Sequence, residues 1–150
     1  PAFSTKINGD KTVSLADYKG KNIVLYFYPK DDTPGCTTEA KDFSDNLEAF
    51  KQANTVILGI SKDSVKSHEK FIEKHCLPFD LLSDESTEIC QAYGTWQEKS
   101  MYGKKFMGIN RDTFLIDADG KITEIWRKVK VTGHVQKVLE AAQATQAIAA

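Results

Sequence analysis

Residues 23–52 limit how this chain can fold more than any other stretch. Residues 23–28 form an unbroken apolar run of strand length, Ile-Val-Leu-Tyr-Phe-Tyr, which reads as a strand buried on both faces. Residues 29–35 follow with two prolines and a glycine, the punctuation of a short loop. Over residues 36–52 the apolar side chains Cys36, Ala40, Phe43, Leu47 and Phe50 recur at helical spacing, so the spacing predicts one long amphipathic helix with Cys36 on its inward face. A buried strand feeding directly into such a helix calls for a sheet with helices packed against it.

The rest of the chain continues that alternation. Residues 55–61 read as a second interior strand. A helix is expected over residues 64–75, capped by Ser61, Asp63 or Ser64 and stopped by Pro78. A short segment around Leu81 and Leu82 comes next, then a small helix over residues 86–93 that ends at Gly94. Residues 113–116 and 122–129 read as a hairpin turning at Asp117-Ala118-Asp119-Gly120. A last helix is expected over residues 132–142, with residues 141–150 as its fraying end. Residues 95–110 show no clear period and are expected to form a long loop; its Trp96, Tyr102, Phe106 and Met107 either cover the core or form an association face. The pattern predicts an α/β fold, a central mixed sheet flanked by helices, in a single domain over residues 1–150.

Composition narrows the function classes. A chain of 150 residues, 41% hydrophobic, holds one sizeable core. Its net charge is −1 with both signs interspersed, so neither a nucleic-acid partner nor a membrane surface is expected. No apolar run approaches the ~18 residues of a membrane span, and no signal peptide is read. The chain opens at Pro1 rather than Met, as when leading residues have been removed. Three cysteines is an odd count without the spacing of a secreted disulfide framework, which points to a reducing, cytoplasmic setting.

Cys36 is the residue around which chemistry is expected. A thiol in the first turn of a helix lies at the positive end of the backbone dipole, where the reactive thiolate is favoured over the thiol. Read alone, its neighbours are plain: Thr33 is a turn residue before Pro34, Pro29 ends a strand, and Arg111 is a charge at a strand edge. Lys30, Asp31 and Asp32 read as charges on the loop surface. Cys76 follows Ile72 by one turn and reads as core packing, and Cys90 as a buried structural thiol. His75 and Cys76, with His68 nearby, are a weak hint of a metal site.

Pro29, Thr33 and Cys36 also spell P-x-x-x-T-x-x-C, which resembles the active-site signature of the peroxiredoxins. The fuller string Tyr-Pro-Lys-x-x-Thr-Pro-Gly-Cys-Thr resembles the bacterioferritin-comigratory-protein (PrxQ) subfamily. Further blocks fall in family order: Leu58-Gly59-Ile60-Ser61, Leu81-Leu82-Ser83-Asp84, Gly108-Ile109-Asn110-Arg111, and the run from Phe114 to Lys121. The resemblance spans residues 3–140. It implies a thioredoxin-like fold and a thiol-dependent peroxidase that reduces hydrogen peroxide and organic hydroperoxides through a Cys36 sulfenic acid. Within it Thr33 and Arg111 would stabilise the thiolate and the peroxide oxygens, and Pro29 would shield the sulfur from water. It implies no metal or organic cofactor, an external thiol as reductant (thioredoxin, glutaredoxin or glutathione), and a monomer.

One position departs from the subfamily. Many of its members carry a resolving cysteine five residues after the nucleophile, where this chain has Lys41. A one-cysteine cycle is therefore expected, with Cys76 as the alternative resolving residue. A non-enzymatic redox sensor built on the same cysteine is the alternative from another class. A dithiol oxidoreductase is disfavoured because Cys36 begins no Cys-x-x-Cys, and a Cys–His hydrolase because His68, His75 and His134 fall in no partner motif.

Overall fold

The computed structural model describes residues 4–6 and 12–149. A seven-stranded mixed sheet runs through the molecule in the order β2-β1-β5-β4-β3-β8-β9. Its centre is β3 (Asn22–Phe27), every residue of which is buried. It lies parallel to β4 (Thr55–Ser61) and antiparallel to β8 (Asp112–Ile116). β5 (Asp80–Ser83) continues the parallel side, and β9 (Ile122–Trp126) pairs with β8 at one edge. The short antiparallel strands β1 (Ser4–Lys6) and β2 (Thr12–Ser14) form the other edge, which the sequence pattern did not reveal.

Alternation along β3 divides the core in two. Val24, Tyr26 and Tyr28 pack with Phe43, Phe50, Phe71 and Val138 under the helices α1 (Pro34–Asp45), α2 (Leu47–Gln52), α3 (Val65–His75) and α5 (His134–Ala149). Ile23, Leu25 and Phe27 pack on the opposite face with Phe114 and with Ile89 and Cys90 of α4 (Glu88–Ala92). This is a strand buried on both faces, as its unbroken apolar run requires.

Several expectations change in detail. The single helix over residues 36–52 is two helices, broken at Asn46. The Asn46 side chain donates to the Asp42 carbonyl at 2.8 Å and competes with the helical ladder. Residues 95–110 form a hairpin of their own, β6 (Trp96–Met101) with β7 (Lys104–Ile109), rather than a loop. Its turn is Tyr102-Gly103, both residues at positive φ. Charged and apolar residues alternate poorly there because much of the ribbon is solvated; Tyr102 is 97% exposed and Phe106 and Met107 are about half exposed, while Trp96 packs on the core. β9 stops at Trp126, short of residue 129, because Arg127 Nη1 and the Lys128 N–H both turn back to the Asp112 carboxylate at 2.9 Å. α5 runs past residue 142 to Ala149; Ala150 lies outside the described residues. No helix among the described residues is long and apolar enough to cross a membrane.

Candidate active site

The site forms where β3 delivers the chain into α1. Tyr28 still donates its N–H to the Ile60 carbonyl at 3.1 Å; Pro29 then ends the ladder. Thr33 is the N-cap of α1 in extended conformation and Pro34 its first residue, a position proline suits because its missing N–H would have no helical acceptor. Cys36 therefore falls in the first turn. Its own N–H and that of Gly35 are left without intrahelical acceptors, and the Thr33 side chain caps neither. Thr33 Oγ1 instead donates to the Lys30 carbonyl at 2.9 Å, the role of a turn residue. The sulfur faces inward, 1% exposed, in the apolar stripe with Ala40 and Phe43.

Arg111 reaches this sulfur from the strand next to β3 in the sheet. It lies immediately before β8, and its Nη2 donates to Cys36 Sγ at 3.2 Å. The same guanidinium donates from Nη1 to Glu39 Oε1 at 2.7 Å. Gly35 makes room for it, since a Cβ at that position would stand 3.1 Å from Nη2. Arg127 takes no part; it ties Asp112 to the carbonyls of Tyr93 and Gly94.

Glu39 was not singled out by the sequence. It is completely buried, and burial pushes its carboxyl up to about 7 against the pull of Arg111. Its Oε2 and the nearby Tyr26 hydroxyl are buried without hydrogen-bond partners among the described residues. The signal was its position three residues after Cys36, which puts both on one helix face.

The other candidates separate. Lys41 is exposed on α1. Cys76 is exposed rather than packed in the core: it is the C-cap of α3, in the left-handed conformation with φ 50°, so the helical projection from Ile72 fails at it. No cysteine is in a disulfide. Cys90 is buried as expected, and burial raises its thiol pKa well above the ordinary value. His68, His75 and Cys76 do not converge: His68 faces Asp31, His75 faces Asp32, and Cys76 faces solvent. Asp31 is likewise buried, not on the loop surface. Asp31, Asp63 and His68 bring their ligand atoms within 4.8 Å of one another, but each already has a hydrogen-bond partner within the protein.

A central mixed sheet flanked by helices, with an arginine-paired cysteine opening the helix after its central strand, defines a thioredoxin-like thiol enzyme. The chain belongs to the AhpC/TSA family, whose model matches residues 1–125. Within that family it is a peroxiredoxin of the Bcp (PrxQ) type. It is 53% identical over 140 residues to peroxiredoxin Bcp of Bacillus subtilis, covering 93% of this chain and 89% of that one. It is 52% identical to the putative peroxiredoxin bcp of Coxiella burnetii, covering 93% and 92%. Among solved structures, that of the bacterioferritin comigratory protein of Xanthomonas campestris, described for its alkyl peroxide reduction activity, superposes with a TM-score of 0.91 at 44% identity, covering 96% of this chain and 92% of that one.

Proposed function

We propose that this peroxidase-class oxidoreductase uses Cys36 as its nucleophile against hydrogen peroxide and alkyl hydroperoxides. The Cys36 thiolate attacks the terminal oxygen of the hydroperoxide. An S–O bond forms, the O–O bond breaks, and sulfur is oxidised to the sulfenic acid while the leaving oxygen takes a proton and departs as water or alcohol. The observation that carries this reading is the Arg111 guanidinium 3.2 Å from a buried sulfur. It stabilises the thiolate and then the oxygen on which charge develops, together with the N–H groups of Gly35 and Cys36, which have no intrahelical acceptor. Thr33 Oγ1 spends its proton on Lys30 and so offers the peroxide O–H an acceptor. Pro29, lacking an N–H, completes the water-poor wall of the pocket. The relative in Xanthomonas campestris, with its alkyl peroxide reduction, supports organic hydroperoxides as substrates.

The cycle is closed by an external thiol: thioredoxin, glutaredoxin or glutathione. With Lys41 where a resolving cysteine would stand, the sulfenate awaits that thiol, which attacks its sulfur and releases water; a second thiol then frees Cys36. Three free thiols fit a reducing, cytoplasmic enzyme acting as a single-domain monomer. A second reading has a specific basis: Cys76 is exposed at the end of α3 and open to form a disulfide with Cys36 once the first turn of α1 moves. Peroxide consumption with thioredoxin as reductant separates them. The one-cysteine cycle predicts that Cys76→Ser turns over like the parent and Cys36→Ser not at all. Loss of thioredoxin-driven turnover in Cys76→Ser would assign Cys76 as resolver. Stable oxidation with no turnover under any thiol would mark a sensor instead.

A further inference from the structure

The loop that carries Thr33 and leads into the first turn of α1 has no regular structure of its own, yet it is fastened to α3 at both ends of that helix. At the first turn of α3 the tie is buried. Asp31 Oδ1 accepts from the Tyr28 hydroxyl at 2.5 Å, and Oδ2 accepts from Ser67 Oγ at 2.8 Å and lies 2.7 Å from His68 Nδ1. The Asp31 N–H in turn donates to Asp63 Oδ2 at 2.8 Å. His68 Nε2 lies 2.9 Å from the Leu82 carbonyl, a group that only accepts, so Nε2 carries a proton. Both side chains are almost wholly withdrawn from solvent. At the last turn the tie is exposed: Asp32, at φ 58°, accepts from Lys74 at 2.7 Å and meets His75 at 3.0 Å.

This arrangement bears on the two halves of the cycle in opposite ways. Attack on peroxide needs the loop and the first turn of α1 fixed, so that sulfur, guanidinium and N–H groups meet one oxygen. Reduction needs a sulfur from outside to reach Cys36, which is 1% exposed in this arrangement. We propose that Asp31 and His68 are positioning residues that clamp the catalytic loop to α3, accelerating the peroxide step and restraining reduction of the sulfenate. Their removal shifts the two half-reactions in opposite directions, a pattern that general loss of structure does not produce. The proposal rests on the assignment of Cys36 as nucleophile.

The test measures both half-reactions in a Cys76→Ser background, so that Cys36 sulfenate accumulates: its formation with hydrogen peroxide in a single turnover, and its reduction by dithiothreitol. Asp31→Asn removes the charge facing His68; Tyr28→Phe removes one hydrogen bond to Asp31 and keeps the ring. Asp31→Asn is expected to slow sulfenate formation about tenfold and to speed its reduction about threefold, with Tyr28→Phe shifting both rates the same way by less. If Asp31→Asn does not fold, Tyr28→Phe decides alone. Unchanged rates, or a parallel fall in both, overturn the clamp. If the Cys76→Ser parent itself forms no sulfenate at Cys36, the assignment of the nucleophile fails first and the clamp with it.

Discussion

Arg111 Nη2 stands 3.2 Å from Cys36 Sγ and reaches it across Gly35, the residue just before the cysteine. The two partners are 75 positions apart in the chain and meet because β3 and β8 are antiparallel neighbours in the sheet. Glu39, one helical turn after the cysteine, holds the other arm of the same guanidinium. The site is thus a sulfur and a buried carboxyl bridged by one cation.

Arg111→Lys keeps the charge and loses the geometry. An ammonium is a single point and cannot bridge Cys36 and Glu39 as the planar fork does. The rate of Cys36 oxidation by hydrogen peroxide in stopped flow is expected to fall about 10²-fold or more, as when one donor to a developing oxyanion is removed. The circular dichroism spectrum should be unchanged.

Gly35→Ala tests the approach itself. The added methyl would stand 3.1 Å from Nη2, so the guanidinium would have to give by a few tenths of an ångström. The backbone there needs no positive φ, so folding should be spared while the oxidation rate drops about tenfold, the scale of a small misplacement at a reacting centre. An undiminished rate would show that the Arg111 contact is not needed.

Glu39 makes stability depend on pH. Folding raises its carboxyl from the ordinary 4.5 to about 7, so between those values the folded chain holds a proton that the unfolded chain has released. Its contribution is fully present below about pH 4.5, declines as pH rises, and is lost above about pH 7. At 1.36 kcal/mol per unit the change is about 3 kcal/mol. Urea unfolding of Glu39→Gln, which keeps an oxygen for Arg111, should lack this decline. An identical slope in parent and variant would place the titrating group elsewhere.

The two outlying cysteines should differ sharply towards iodoacetamide. Cys76 is exposed and should be labelled in the native protein. Cys90 is buried with its thiol pKa pushed up, and should react only after unfolding. Peptide mapping of labelled protein with and without denaturant checks both.

Much of this was legible in the sequence. The unbroken apolar run gave β3 as a buried interior strand, the candidate caps Ser61, Asp63 and Ser64 with Pro78 beyond gave α3, whose N-cap is Ser64, and the Asp-Gly turn gave the β8–β9 hairpin. The motif context singled out Cys36 and Arg111, which the fold brings to 3.2 Å of each other. What escaped was set by partners distant in the chain. Glu39 and Asp31 look like solvated charges until Arg111, 72 residues away, and His68, 37 away, fold onto them. The β6–β7 hairpin escaped because a ribbon with much solvated surface imposes no clean alternation. Cys76 misled because helical projection ends where the backbone turns left-handed.

The central claim is that Cys36 is oxidised by peroxide to a sulfenic acid. Its most direct test is intact and peptide mass spectrometry after one equivalent of hydrogen peroxide, with a sulfenic-acid trap present. The account predicts the trapped adduct on Cys36, with Cys90 unmodified. An unmodified Cys36 would contradict it.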